Sequence, residues 1–198
     1  MKIKNKKYTI LIVIFFLILI ILYNTSYKTE KENSLSLNSE IDRFNLITHN
    51  NKNFNDKYFS GYPSLLFFGF LNCPDICPMT LEKISKIIKE YDLHPDKVRF
   101  YFITVDPDRD NRQSIKEYLS NFNTNIIGIT GEKESIKNFL KHMYVYSEKV
   151  YLGDDIYTID HSSQIFIFDS KGNFFGTTSI EEQDNIILDK INKVVNGA

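Results

Sequence analysis

The sequence predicts an α/β domain built on a central, mostly parallel sheet with helices on both faces. Short apolar runs alternate with helical patterns from residue 64 to the C-terminus. Those runs are almost continuously apolar, as in strands buried on both faces. Near the end, QIFIFD and NFFGTT are separated only by Ser170-Lys171-Gly172, which adds an antiparallel hairpin at one edge.

The chain starts with a segment outside that sheet. Residues 1–7, MKIKNKK, carry four lysines and no acid, and residues 8–27 carry no charge. Ile10 to Leu22 is unbroken Ile, Leu, Val and Phe. A helix of ~20 residues rises ~30 Å, the thickness of a bilayer's hydrocarbon layer. Tyr8 and Tyr23 stand where interfacial aromatics belong. Residues 8–27 are therefore expected to be a transmembrane anchor. The following NTSYK lacks the small-x-small pattern of a cleaved secretory signal, so the anchor is expected to be retained. The lysines hold residues 1–7 in the cytoplasm, and the C-terminal portion faces the far side. The basic start has no Arg-rich transit pattern, so the expected location is a bacterial inner membrane, single-pass, with the domain in the periplasm. Residues 28–40 end a polar stretch that begins at Asn24, and are expected to be a flexible tether. The folded domain is expected over residues 41–198.

Within that domain SLLFFGF, Ser64 to Phe70, is too short for a helix and is expected to be a buried strand. Leu81, Ile84, Ile87, Ile88 and Tyr91 then recur at helical spacing. VRFYFITV, Val98 to Val105, gives a second strand, and Ile115, Tyr118, Leu119 and Phe122 a second helix. NIIGIT, Asn125 to Thr130, gives a third strand, followed by a helix on Ile136, Phe139, Leu140 and Met143. Residues 144–160 are expected to be a long polar loop. The hairpin follows, and a last helix carries Ile187, Ile191, Val194 and Val195.

Charge narrows the partners. The 24 basic and 25 acidic residues nearly balance, but four lysines fall in the first seven positions, so the domain is mildly acidic. It has no basic stripe, which argues against nucleic acid.

Both cysteines of the 198-residue chain lie in GFLNCPDICPMT, with three residues between them. Open-sheet α/β domains react at the C-terminal ends of their strands, and Cys73 directly follows one. Pro78 belongs in a helix's first turn, and Cys77 before it is biased away from helical angles. The helix is thus expected to begin near Pro78, with both cysteines in the loop ahead. Unpaired N–H groups there favour thiolate, lowering both thiol pKa values. Three roles compete: a structural disulfide, a redox pair, or ligands to a soft metal. A disulfide over so short a loop constrains little chain entropy. Thiolates select Cu(I), zinc or iron–sulfur clusters, and two sulfurs call for a further ligand.

His49, His94 and His142 sit in surface-like contexts, with His142 expected on the solvent side of its helix. His161 stands in YTIDHSSQIFIFD, between a polar segment and a buried strand. It suits a metal ligand or a hydrogen-bonded turn residue equally, with Asp160 a candidate partner for its other nitrogen.

Three blocks in order resemble the Sco family of copper proteins, from about Phe44 to the C-terminus. They are FGFLNCPDICPMTL, ITVDPDRD from Ile103 to Asp110, and YTIDHSSQIFIFD. The resemblance implies a thioredoxin-like fold and one copper ion held by Cys73, Cys77 and His161. It implies a chaperone that takes copper from a donor protein and assists assembly of the CuA site of cytochrome c oxidase subunit II. The alternative is a thiol–disulfide oxidoreductase that uses Cys73 and Cys77 on a partner's cysteines. Asp106, Asp108, Arg109 and Asp110 are expected to be structural: a turn at Asp106-Pro107, with Asp110 or Asn111 capping the next helix.

Overall fold

The computed structural model describes residues 3–32, 35–38, 40–122, 125–153 and 156–197, with backbone alone for 3–7, 9 and 25–32. The chain divides into two units, Met1–Leu35 and Ser36–Ala198.

The first unit is one helix, α1, Ile3–Glu32. Ile10 to Leu22 are exposed around its whole circumference. Among the described residues, no helix is long and apolar enough to cross a membrane. The span expected over residues 8–27 is therefore not established by the structure. The unbroken apolar run of 13 residues rises only ~20 Å, and the rest of a ~30 Å layer would fall to uncharged but polar neighbours.

The second unit begins ahead of residue 41. Leu37, inside the expected tether, is fully buried, and its N–H donates to the Gly172 carbonyl at 2.9 Å. A six-stranded mixed sheet follows, from β1 (Ile47–Thr48), β2 (Ser64–Gly69), β3 (Arg99–Thr104), β4 (Ile126–Thr130), β7 (Ile165–Phe168) and β8 (Phe174–Thr178). β5 (Ser147–Gly153) and β6 (Ile156–His161) form a separate two-stranded sheet. The large sheet runs β1-β4-β3-β2-β7-β8, with β4, β3 and β2 mutually parallel and the other neighbours antiparallel. The sheet is thus mixed and not mostly parallel as expected, because β1, β7 and β8 all add antiparallel.

β2 lies at the centre, and all six of its residues are buried. Alternate side chains face opposite ways along it. Leu65 joins Phe100 and Ile165 beneath α2 (Ile76–Glu90) and α5 (Asp184–Val195), which present Ile84, Ile87, Ile187 and Ile191. Phe68 faces the other way, its ring 6.0 Å from that of Phe139 on α4 (Lys133–His142). α3 (Arg112–Leu119) starts at Asn111, whose side chain accepts the N–H groups of Gln113 and Ser114 as a cap.

The expected strands and helices are all present, each within a few residues. The exception is residues 144–160: the expected polar loop is mostly the β5–β6 hairpin, paired antiparallel from Ser147↔His161 outward. Its exposed strands carry too much polar sequence to read as a buried run, though Val150-Tyr151-Leu152 and Ile156-Tyr157 flank a Gly-Asp-Asp turn signal.

Candidate metal centre

Cys73 lies in the loop beyond β2, and Cys77 lies inside α2. The helix begins at Ile76, not near Pro78 as expected. Pro78 takes its third position, where a missing N–H has no intrahelical acceptor to lose, so the preceding residue can be helical after all. Asp75 offers no side-chain cap. The Cys73 sulfur takes that place, accepting the Cys77 N–H at 3.4 Å.

This geometry separates the two thiols. Hydrogen bonding from the Cys77 thiol, helped by the N–H groups of Asp75 and Cys77, pulls Cys73 down to about 4 against the opposing effect of burial. Cys77 moves the other way, raised by its bond to Cys73 and by burial. The expectation that the helix start lowers both is corrected: the pair shares one proton, with the charge on Cys73. Cys73 is 9% exposed, whereas Cys77 is fully buried.

His161 ends β6. Its Nε2 lies 3.6 Å from the Cys77 sulfur, and its Nδ1 lies 2.9 Å from the Ser162 carbonyl oxygen. A carbonyl only accepts, so Nδ1 carries the proton and Nε2 turns a lone pair toward the sulfurs. Ser162 thus fills the role expected of Asp160. The Phe70 ring meets the imidazole edge-on at 5.7 Å. The two sulfurs and one ring nitrogen lie within 4.8 Å of one another.

The other histidines stand apart. His49 Nδ1 accepts the Gly128 N–H at 2.8 Å, and exposed His94 pairs with Asp92 at 3.0 Å. His142 departs from expectation, with a side chain only 18% exposed and stacked 5.2 Å from the Phe44 ring.

Gly69 is a functional position the sequence reading passed over. A Cβ there would sit 2.9 Å from both the Cys77 sulfur and the Phe102 ring. The available signal was a lone glycine inside a buried strand, which marks a close approach. Gly69→Ala is expected to displace that sulfur, costing about 1–3 kcal/mol of stability and weakening metal retention. Urea unfolding and metal titration of the purified variant check both effects.

The loop after β3 does more than turn and cap. Asp110, 2% exposed, accepts the Thr104 hydroxyl at 2.7 Å and the Leu71 N–H at 3.1 Å, so it pins the backbone two residues before Cys73. Asp106, 1% exposed, pairs with Arg109 and accepts the Tyr157 hydroxyl at 2.9 Å. Arg109 also donates to the Tyr157 carbonyl at 2.9 Å. One loop therefore grips both the cysteine segment and the strand that carries His161.

Burial raises the Asp110 carboxyl from 3.8 to about 6. The folded chain holds that proton more tightly than the unfolded one. The resulting stabilisation is complete below pH ~4, fades as pH rises through about 6, and is absent above. A rise of that size corresponds to roughly 3 kcal/mol. Asp110→Asn keeps both acceptor bonds without the charge. It is expected to flatten this pH dependence and gain up to about 2 kcal/mol at pH 7, measured by urea unfolding of the metal-free protein at both pH values.

Residues 33–196 match the family described as SCO1/SenC. The chain belongs to the SCO1/SenC family. Among curated SCO relatives, an SCO2-like protein of Rickettsia conorii is 38% identical over 133 residues, covering 66% of this chain and 65% of its own. The chain thus spans slightly less than two thirds of that relative's length. The structure of Bradyrhizobium japonicum ScoI with copper bound superposes with a TM-score of 0.70 at 34% identity, over 75% of this chain and 95% of the other. Yeast Sco1 with copper bound gives 0.68 at 33%, over 77% and 86%. These likenesses bear out the thioredoxin-like α/β expectation. In this SCO1/SenC chain the site offers two sulfurs and one imidazole nitrogen, a donor set for a soft ion. Structural zinc takes four protein ligands, and three converge here among the described residues.

Proposed function

We propose that the chain binds one copper ion through the sulfurs of Cys73 and Cys77 and Nε2 of His161, and hands it on as cargo. The observation that carries this reading is the convergence of those three donor atoms within 4.8 Å. Copper-bound ScoI and Sco1 structures support the choice of metal. Two thiolates and a neutral imidazole suit Cu(I), and the N–H groups at the start of α2 offset the thiolate charge. The recipient in this reading is the CuA site of cytochrome c oxidase subunit II, loaded from a separate donor protein.

Membrane anchoring is part of the same proposal. A helix that is apolar on every side seeks either a core or a bilayer, and α1 shows that pattern from Ile10 to Leu22. With four lysines ahead of it, it supports a single-pass anchor in a bacterial inner membrane with the domain in the periplasm.

The reduced full chain is expected to take up one equivalent of Cu(I), measured by competition with a chromophoric chelator. The disulfide form is expected to take up none. Equal uptake by both forms would remove the thiols from the site and end the reading.

The split between the two thiols also favours thiol–disulfide exchange as a second activity. The Cys73 thiolate attacks a partner disulfide and forms a mixed disulfide. Cys77 then loses its proton and attacks the Cys73 sulfur, releasing the partner's second thiol. The partner gains two electrons and the chain ends as a disulfide. This route needs no imidazole ligand, so His161→Ala separates it from copper carriage.

A further inference from the structure

A groove of about 430 Å³ opens between α4, the β5–β6 hairpin and the loop after β3. Val105, Ile136, Leu140, Val145 and Ile159 form its floor, all buried. Lys133, Lys137, Lys141 and Lys149 stand around it, with exposed Asp108 and buried Asp106 as the carboxylates among its lining residues. Asp108 already bridges Lys133 at 3.0 Å and Lys149 at 2.8 Å. Lys137 pairs with Glu134 at 3.9 Å, and Lys141 is exposed. Exposed Tyr146 closes one side, its hydroxyl donating to Glu148. The copper-carrier reading uses none of these groups.

The groove's place in the fold is informative. Ile159 lies two residues before His161 on β6, so floor and imidazole are neighbours on one strand, about 7 Å apart along it. The Tyr146 carbonyl also accepts the Ser162 N–H at 3.1 Å. Whatever fills the groove therefore rests against the element that carries the third metal donor. A flat field of lysines would suit a membrane surface. A concave apolar floor inside a lysine rim suits one large side chain flanked by carboxylates.

We propose that this groove docks an acidic segment of the protein that exchanges copper with this chain, seating a leucine- or phenylalanine-sized side chain on the floor. The inference rests on the copper-transfer reading for the partner's identity, and on the groove's own chemistry for the segment it accepts. Charge attraction brings the partner in and the floor fixes its register, so copper passes at the adjacent sulfurs and imidazole.

The test uses the full chain in mild detergent and a fluorescein-labelled octapeptide with leucine-phenylalanine at its centre and three glutamates on each side. Fluorescence anisotropy is expected to show binding that weakens with added salt. The double substitution Lys137→Glu with Lys141→Glu is expected to raise the Kd at least about tenfold, with copper stoichiometry unchanged. Both lysines are exposed and lie outside the metal centre. Equal binding of a peptide with lysines in place of the glutamates would overturn the proposal, as would an unaffected double variant. So would a chain that ignores the peptide but binds phosphatidylglycerol vesicles through these lysines, which would assign the rim to membrane. Copper uptake on the same samples separates the two failures. Normal uptake without peptide binding sinks the groove alone. Peptide binding without uptake sinks the copper reading and the partner named from it.

Discussion

Serine in place of Cys77 is expected to lower copper affinity at least about 100-fold, close to 3 kcal/mol. Cys77 is fully buried, and its sulfur faces both His161 Nε2 at 3.6 Å and the space left by Gly69. A hydroxyl oxygen is a harder donor and does not ionise at neutral pH, so the soft ion loses a charged ligand. Ser and Cys are close in size, so the fold is expected to survive. His161→Ala is expected to cost less, roughly 10–100-fold, because two thiolates remain for Cu(I). Chelator competition on both variants measures the order. Copper retention unchanged in the His161 variant would reduce the site to a dithiol. Disulfide exchange unchanged in that variant, with copper lost, would show both activities on one pair of sulfurs.

Asp106→Ala is expected to destabilise the domain by about 2–3 kcal/mol. Removing one member of a buried ion pair strands the other, and the effect is held to the low end because the Arg109 side chain is 28% exposed. The same change leaves the Tyr157 hydroxyl without its carboxylate acceptor. The β5–β6 hairpin loses a clamp, so copper affinity is expected to fall alongside stability. Urea denaturation gives the first quantity and chelator competition the second. Asp106→Asn, which retains an acceptor oxygen, is expected to restore part of both. Equal loss in the two variants would show that charge, rather than hydrogen bonding, holds the hairpin.

The parts of this picture that were legible in the sequence are those set by local pattern. Apolar runs marked β2, β3 and β4 because central strands bury both faces. Helical spacing marked α2 to α5 because each buries one stripe, and the paired cysteines announced themselves by their isolation in the composition. What escaped depended on contacts between distant segments. The hairpin of residues 147–161 is mostly exposed, so it lacks the apolar run that betrays a core strand. Cys77 entered the helix because a third-position proline gives up no intrahelical hydrogen bond, a shift of two residues in the helix start. The Asp106–Arg109–Tyr157 cluster reads locally as a turn, and its grip on the hairpin exists only once the chain has folded. Gly69 looked like an ordinary strand residue until the Cys77 sulfur was seen above it. His161 could be singled out, but its tautomer is set by the Ser162 carbonyl, which no spacing rule supplies.

Among the described residues, the hairpin that ends in His161 makes no ladder with the large sheet, while both thiols belong to the segment around β2 and α2. The cage for the ion is therefore built in two pieces, joined by the loop after β3, where Asp110 holds the cysteine segment and Asp106 and Arg109 hold Tyr157. Substitutions along β5 and β6 can retune how firmly the nitrogen is offered without touching the sulfurs, and changes under β2 do the reverse. Selection, or an engineer, has two dials on one small site, coupled through that loop.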